Sequence, residues 1–207
     1  MSIAESQPIV ITSTHEDEEQ LAAMIADAFA DLPASKYLVP EEERRREVMA
    51  STFRLDLEEV RQATGIIRTV AGLEAAALWS YHKGSAEPEP ELDARLSEAA
   101  GEAAPRFAAF YRALHTRRRE LMGDRPHWHL WVLAVAPDYQ GRGYGGLLIR
   151  DQLTAIDKIG EPTYLEAASP GLCTTYRHFG FKSAGKPIVL EDGKTRMFPM
   201  IHEPSLL

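Results

Sequence analysis

The fold can be predicted from one stretch of sequence, Val135-Ala-Pro-Asp-Tyr-Gln-Gly-Arg-Gly-Tyr-Gly-Gly146. It combines the end of an apolar strand, a proline that stops strand pairing and four glycines that lead directly into a helix. Such a turn leaves backbone N–H groups unpaired, and glycine lets these groups approach an anion closely. The helix N-terminus adds about half a positive charge at the same place. We therefore expect this turn to hold the diphosphate of a cofactor.

Two other glycine-rich motifs fit the stretch poorly. A P-loop requires Lys-Ser or Lys-Thr after its last glycine, whereas this chain has Gly146-Leu147-Leu148. A dinucleotide-binding fold has its fingerprint in the first strand-helix unit, with an acidic residue about 20 positions later. Here the turn lies about two-thirds of the way along the 207 residues. A tight turn with a purely structural role remains an alternative.

The residues around the turn alternate between strand and helix patterns. Apolar positions at core spacing, such as Leu148, Ile149, Leu153 and Ile156, predict a helix after the turn. The predicted elements are a strand over His127–Ala136, a helix over Leu147–Ile159, a strand over Thr163–Ala168, a helix over Gly171–Phe179, and a hairpin of Ile188–Glu191 and Arg196–His202 that turns at Asp192-Gly193.

The N-terminal half has the same mixed character. Thr14 and Asp17 are suited to capping a helix, and Pro33 and Pro40 are expected to break the chain. The predicted elements are a strand over Pro8–Thr12, helices over Glu16–Ala30 and Glu41–Val60, and strands over Ile66–Val70 and Leu73–Tyr81 joined at Gly72. The fold class is therefore mixed α and β, and we expect a single domain over residues 1–207.

A helical insertion over residues 84–126 separates two of the central strands. Its first part carries Pro88 and Pro90 among glutamates, and its second part is rich in alanine and predicts one or two helices. The helical part contains Phe107, Phe110, Tyr111 and Leu114. Insertions of this length commonly act as lids or substrate walls, although a surface decoration outside the site is equally compatible with the sequence.

Composition narrows the choice of partners and compartment. The chain is 44% hydrophobic, and 23 basic against 31 acidic residues give a net charge of −8. This charge disfavours nucleic acid or an anionic membrane as a partner and favours a cationic substrate. Cys173 is the only cysteine, so no intrachain disulfide can form. Without a leader or a membrane-length apolar run, we expect a soluble cytoplasmic protein. The scattered histidines predict no metal site.

Two sequence blocks resemble the GNAT N-acetyltransferases. Gln140-Gly-Arg-Gly-Tyr-Gly145, preceded by Leu133-Ala-Val-Ala-Pro137, is similar to the coenzyme A signature of that family. Tyr164-Leu-Glu166 followed by Tyr176-Arg-His-Phe-Gly-Phe181 is similar to its second block. Within the family, Trp128–Pro137, the Trp79 strand and the insertion look most like the puromycin N-acetyltransferases.

This resemblance implies an acyl-CoA N-acyltransferase fold with a mixed sheet, and acetyl-CoA as co-substrate. Ser169 stands where many relatives have an asparagine near the pantetheine, and its hydroxyl can still form a hydrogen bond. The residues that the resemblance assigns to acetyl-CoA are Leu133, Ala134, Val135, Gln140, Gly141, Arg142, Gly143, Tyr144, Gly145, Gly146 and Ser169.

Acetyl transfer to an amine needs a base. His127 and His129 lie two residues apart on one face of the strand that enters the turn, and a histidine with a pKa of about 6.5 can accept a proton near neutrality. The resemblance places His129 at the position of the base, although a strand histidine can also serve only in packing. Glu166 could assist deprotonation or bind the substrate ammonium, or it could face solvent from the sheet edge.

The departing thiolate needs an acid, and the carbonyl oxygen needs a hydrogen-bond donor. Tyr176 matches the tyrosine that relatives place beside the sulfur, and a phenol with a pKa near 10 stays protonated at neutral pH. A half-buried packing role is the alternative for this residue. The resemblance gives the backbone N–H of Val135 the role of oxyanion donor. Cys173 is expected to pack in the helix and not to act as a nucleophile.

The sequence therefore predicts an enzyme that transfers the acetyl group of acetyl-CoA by direct attack of a primary amine on a small molecule. Trp79, Tyr81 and the aromatic residues of the insertion are candidate walls of the acceptor site. The alternatives are a protein-lysine or N-terminal acetyltransferase, and a non-catalytic acetyl-CoA sensor. A homodimer is possible.

Overall fold

A computed structural model of the chain describes residues 8–84 and 93–204. The predicted linker with Pro88 and Pro90 lies outside the described residues. The strands are β1 (Val10–Thr12), β2 (Gly65–Val70), β3 (Ala75–His82), β4 (His127–Val135), β5 (Thr163–Ala167), β6 (Lys182–Ser183), β7 (Ile188–Val189) and β8 (Arg196–His202). The helices are α1 (Glu18–Phe29), α2 (Pro33–Leu38), α3 (Glu42–Gln62), α4 (Ala94–Ala100), α5 (Ala104–Met122), α6 (Tyr144–Lys158) and α7 (Pro170–Arg177).

The strands form a mixed sheet in the order β1-β2-β3-β4-β5-β8-β6, and β7 pairs with β8. β4 and β5 pair in parallel, and the other pairs are antiparallel. This architecture confirms the mixed α and β class. The final hairpin is also confirmed, since β7 and β8 pair across the turn at Asp192-Gly193.

Helices cover both faces of the sheet. Alternate residues of β3 point to opposite faces, so Ala76 and Leu78 join the core under α1, α3, α4 and α5. Ala77 and Trp79 join a second core under α6 and α7. Because both faces are covered, β3 is apolar along most of its length instead of alternating with polar residues. No helix in the described ranges is long and apolar enough to span a membrane.

A β-bulge in β4 changes the direction of its side chains. Leu78 pairs with Val132, whereas the next residue, Trp79, pairs with Leu130, so Trp131 is an extra residue without a partner position on β3. The Trp131 ring packs against Tyr111 of α5 with a centroid distance of 5.7 Å. The bulge therefore brings an indole to the face covered by α3 and α5.

The opening between β4 and β5 is the feature that positions the site. Their parallel pairing consists of Trp128 with Thr163 and His129 with Tyr164. Both strands then continue, β4 to Val135 and β5 to Ala167, but in the described structure they do not pair with each other beyond these two positions. The strands diverge toward their carboxyl ends, where α6 and α7 begin. A cleft with exposed backbone edges results.

Three predictions of local structure are corrected. Pro33 does not break the chain but starts α2, because proline at the first helical position loses no hydrogen bond. α6 begins at Tyr144 and not at Leu147, so Gly145 and Gly146 are helical. The two-residue strand β6 was not predicted, since so short a strand has no periodicity to detect.

Candidate active site

The cleft between β4 and β5 continues into a cavity of about 540 Å³. Its walls come from α1, α2, α3, α5, β4 and the segments after β4 and β5. α5 contributes Phe107, Phe110, Tyr111 and Leu114. The structure therefore places the insertion in the wall of the cavity, which favours the substrate-wall interpretation over surface decoration.

The glycine-rich turn lies at the mouth of the cleft. Gly141 and Gly143 have φ angles of +77° and +85°, which residues other than glycine rarely adopt. A Cβ at either position would point into open space. Within the described part of the chain, no group accepts a hydrogen bond from the amides of residues 141–146. These amides and the N-terminus of α6 are therefore available to an anion, as predicted from the sequence.

Gly146 is required for a different reason. A Cβ at this position would lie 3.2 Å from Cζ of Phe179, which is closer than ordinary van der Waals contact. The start of α6 therefore packs directly against the segment that follows α7. This contact joins the two sequence blocks that resemble the GNAT family.

The predicted cofactor-binding residues fall into two groups. Arg142, Gly143, Tyr144, Gly145 and Gly146 lie in the turn and the first turn of α6. The others line the cavity itself: Leu133, Ala134, Val135, Gln140, Gly141 and Ser169.

The backbone of Val135 points into the cleft. Ala136 N–H donates to the carbonyl of Glu74 at 2.8 Å, so Ala136 uses the β3 side of the strand. Because successive residues of a strand direct their N–H groups to opposite edges, Val135 N–H points toward β5. The Gln140 side chain donates to the Val135 carbonyl at 3.2 Å on this same edge. The position expected for an oxyanion donor therefore faces the open cleft.

Glu166 and His129 form a buried pair beside the cavity. His129 Nε2 lies 2.9 Å from Glu166 Oε2, and their side chains are 5% and 3% exposed. Burial raises the pKa of the Glu166 carboxyl to about 8. Near neutral pH, a proton can therefore lie between His129 Nε2 and Glu166 Oε2. Glu166 contributes to the cavity wall, and His129 lies directly behind it. The alternative in which Glu166 faces solvent is excluded.

His127 is tied into the structure by both ring nitrogens. Nδ1 donates to the Arg125 carbonyl at 2.7 Å, and Nε2 accepts from Arg118 at 3.2 Å. Burial lowers the pKa of His127 to about 4, which keeps the imidazole neutral. A histidine with its acceptor nitrogen already used cannot take a proton from a substrate. His127 is therefore not a candidate for the base.

Tyr176 lines the cavity from α7 and is 8% exposed. Burial, with a smaller contribution from Cys173, raises the pKa of the phenol well above its usual value. The hydroxyl therefore stays protonated and can act as a donor. Burial also raises the pKa of the Cys173 thiol, which agrees with a packing role. Ser169 caps α7 by accepting from Leu172 N–H at 3.2 Å, which leaves its own hydrogen free to donate.

Two predicted acceptor walls are wrong. Trp79 is fully buried in the core under α6 and α7, on the face of the sheet opposite α5. Tyr81 hydrogen-bonds Glu161 at 2.8 Å and packs on Trp128, away from the cavity. The physical reason is the two-residue period of β3, which directs Trp79 away from the insertion.

The sequence analysis missed Asp56. This residue of α3 lines the cavity and is 7% exposed, and the polar groups of Trp131 and Tyr111 lie near enough to lower the pKa of its carboxyl. A signal for it exists in the sequence, because Asp56 falls three residues after Phe53 and four before Val60, on the buried stripe of the helix. A carboxylate at such a position is rare without a functional or structural reason.

Comparison with known proteins agrees with this geometry. Residues 96–183 match the family model described as the acetyltransferase (GNAT) domain. This segment is therefore similar to GNAT acetyltransferase domains. The match includes the strand, glycine-rich turn and helix of the cleft. The GNAT domain implies the use of acetyl-CoA in general, and the match supports an acetyl-CoA-dependent acyltransferase.

Solved structures show the same fold over the whole chain. A histone acetyltransferase HPA2-related acetyltransferase from Corynebacterium glutamicum is 24% identical, with a TM-score of 0.71 and coverage of 98% of this chain and 99% of its own. Arylalkylamine N-acetyltransferase 2 from Aedes aegypti is 13% identical, with a TM-score of 0.66 and coverage of 97% and 100%. The polyamine N-acetyltransferase of Drosophila melanogaster is 16% identical, with a TM-score of 0.60 and coverage of 94% and 99%.

These similarities establish the GNAT fold with its mixed sheet. The finer resemblance to the puromycin N-acetyltransferases stays a prediction.

The environment of His127 predicts a specific loss of stability in acid. Its pKa is about 4 in the folded protein and about 6.5 in the unfolded chain. Between these values the unfolded state binds the additional proton, so the free energy of unfolding falls as the pH is lowered from 6.5 to 4. The contribution of His127 to this fall should be about 3 kcal/mol.

Denaturant unfolding of wild type and His127→Gln between pH 7 and 4 measures this contribution. The stability difference between the two proteins should shrink by that amount as the pH falls. The exposed His178 provides the control, since His178→Gln should follow the wild-type curve at a constant offset. Parallel curves for His127→Gln and wild type would contradict the assignment.

Proposed function

We propose that this protein transfers the acetyl group of acetyl-CoA to a primary amine of a small molecule by direct attack. The observation that carries the proposal is the cleft between β4 and β5, which opens into a cavity with Glu166 and Tyr176 in its wall. A base and an acid in the wall of one cavity are what acyl transfer to an amine requires. The net charge of −8 favours the approach of a cationic amine.

The residues of the turn fit a diphosphate. Unpaired amides of residues 141–146 and the start of α6 supply hydrogen bonds and partial positive charge. Leu133 and Val135 present backbone groups at the open edge of β4, where an extended amide-containing chain can pair with them. When bound, acetyl-CoA would supply an acetyl group activated as a thioester.

Glu166 and His129 would act together as the base. Glu166 faces the cavity and, once ionised, can accept a proton from the attacking amine. His129, hydrogen-bonded behind it, orients the carboxylate and can take up the charge change. In this arrangement Glu166 meets the substrate directly, and His129 takes part in the proton transfer through Glu166.

Val135 and Tyr176 would stabilise the other charges that develop. Val135 N–H can donate to the carbonyl oxygen as it becomes negative. Tyr176 can donate its phenolic proton to the departing sulfur, because the sulfur otherwise leaves as a thiolate whose negative charge is unfavourable in a buried cleft. The burial that raises the pKa of Tyr176 keeps that proton in place until it is needed.

The shape of the site favours a small acceptor over a peptide. Residues of α2 and α5 line the cavity together with β4, and its volume of about 540 Å³ is in the range of sites for small molecules. Two proteins of the same fold are named for small amines, an arylalkylamine N-acetyltransferase and an enzyme that forms N-acetylagmatine. The presence of both Glu166 and Tyr176 in the wall supports turnover and not mere sensing of acetyl-CoA.

Release of free thiol from acetyl-CoA tests the proposal directly. The purified protein should release coenzyme A thiol when it is given small primary amines. It should release none when it is given peptides that offer a lysine side chain or a free N-terminal amine. Tyr176→Phe should lower kcat by about 10- to 100-fold, because the general acid is lost, while the Kd for acetyl-CoA from calorimetry stays the same. Binding of acetyl-CoA without thiol release on any small amine would refute the enzyme assignment, and unchanged kcat would refute Tyr176 as the acid.

The pKa of Glu166 predicts the pH dependence of the reaction. Since Glu166 must be ionised to act as a base, kcat/KM should rise with pH up to about 8 and level off above it. An acceptor amine with a pKa below 6 removes the contribution of the substrate from this profile.

Glu166→Gln should abolish the rise and lower kcat/KM by about 100-fold or more, since general base catalysis contributes about that much. His127→Gln should keep the wild-type profile, because both of its ring nitrogens are used within the structure. If the rise near pH 8 persisted in Glu166→Gln, the carboxyl would not be the base.

A further inference from the structure

The cavity holds a second buried carboxyl group, at some distance from the reacting end. Asp56 lies on α3, which packs against α1 and faces the wall formed by α5. It lies among the apolar side chains Met49, Phe53 and Leu57 of the same helix. Such a position would normally carry an aliphatic residue, and a buried carboxyl group lowers the stability of the fold. A binding role would explain why the residue is there.

The carboxyl of Asp56 has unused capacity as a hydrogen-bond acceptor. The polar groups of Trp131 and Tyr111 lie near enough to lower its pKa, whereas a carboxylate can accept about four hydrogen bonds. Thr52, one turn earlier on the same face, donates instead to the Met49 carbonyl at 2.9 Å. Among the residues that the structure covers, no lysine or arginine pairs with Asp56. The remaining acceptor positions face the cavity.

The charge of Asp56 is also uncompensated. Burial, and next the nearby Glu59, raise the pKa of the Asp56 carboxyl to about 8, and the polar groups of Trp131 and Tyr111 offset only part of this shift. A cation in the cavity would stabilise the ionised form, as an opposite charge within a few ångströms does for other buried carboxylates. The described residues 8–84 and 93–204 provide no such cation at this place.

Trp131 lies between the surroundings of Asp56 and the reacting end. Its indole is near enough to Asp56 to lower the pKa of that carboxyl, while the ring packs edge-on against His129 at a centroid distance of 5.3 Å. His129 in turn holds Glu166. Asp56 and the proposed base therefore lie on different sides of the indole.

Aromatic side chains line the cavity that contains the two carboxyl groups. Their faces attract cations and accept apolar groups, so they suit a hydrocarbon chain or ring with a positive end. They are Phe29, Phe53, Phe107, Phe110, Tyr111 and Trp131.

We infer that Asp56 binds a second, protonated nitrogen of the acceptor, and that the substrates are small diamines whose two nitrogens are joined by an apolar spacer. One nitrogen is acetylated beside Glu166, and the other stays charged and pairs with Asp56. This inference rests on the proposed function, since it names the class of amine that the same cavity accepts.

Matched pairs of amines test it. One pair is 1,4-bis(aminomethyl)benzene and 4-methylbenzylamine, which share a primary amine and a ring but differ in the second nitrogen. A series of alkane diamines with the corresponding alkylamines varies the spacer. Wild type should prefer the best diamine by about 10- to 100-fold in kcat/KM, the range for a hydrogen bond to a charged group.

Asp56→Asn should abolish this preference and change kcat/KM for the monoamine by less than about threefold, since a charge-assisted bond is the part removed. Glu47→Gln is the matched control on α3, because Glu47 is exposed and lies outside the cavity wall, and it should keep the preference. Thermal unfolding of each variant identifies any loss of folding.

The outcomes separate the inference from the proposed function. Acetylation of both amines with no diamine preference, or an equal loss for both in Asp56→Asn, would overturn the role of Asp56 and leave the acetyltransferase intact. If no amine were acetylated, the proposed function would fail. Calorimetry of each amine with the coenzyme A complex would then decide the inference, and equal Kd values for diamine and monoamine would overturn it.

Discussion

The separation of β4 from β5 after two residue pairs is the constraint on which the rest of the structure depends. Strand pairing normally uses every backbone group, so an early separation leaves N–H and C=O groups without partners at the edges of both strands. Here the open edge of β4 carries Val135, and the following turn carries amides in the same condition. The cleft is therefore a polar edge built into an otherwise apolar core, and it requires a ligand or water to satisfy it.

Around this cleft, the two faces of the sheet have different tasks. The face under α6 and α7 is packed with apolar side chains such as Trp79 and Leu148, and it holds the strands in place. The face under α3 and α5 is incompletely filled, and the cavity lies there. The bulge at Trp131 turns an indole toward this face. The same residue therefore lies near both the His129–Glu166 pair and Asp56. Reaction and recognition thus share one side chain.

Local patterns were sufficient for much of this fold. Glycines with unpaired amides, apolar spacing in α6 and the alternation near β7 and β8 each depend on neighbours in sequence, so they could be predicted. The orientation of Trp79, the burial of Glu166 and the exclusion of His127 depend on which strand lies beside which and on what covers each face. Asp56 lies between these cases, since its position on the apolar stripe was visible but its partners Tyr111 and Trp131 come from distant segments. The corrected start of α2 shows the same limit, because proline permits a helix start as readily as it ends one.

The contact between Gly146 and Phe179 ties the two ends of the cleft together. Since even one methyl group at residue 146 would press on the Phe179 ring, α6 and the segment that follows α7 cannot slide past each other freely. A displacement of α6 would be transmitted to α7 through this aromatic ring. A ligand in the glycine-rich turn can therefore affect the position of the Tyr176 phenol, three residues before Phe179. The order in which a ligand of the turn and a ligand of the cavity bind would then affect how well the second one fits.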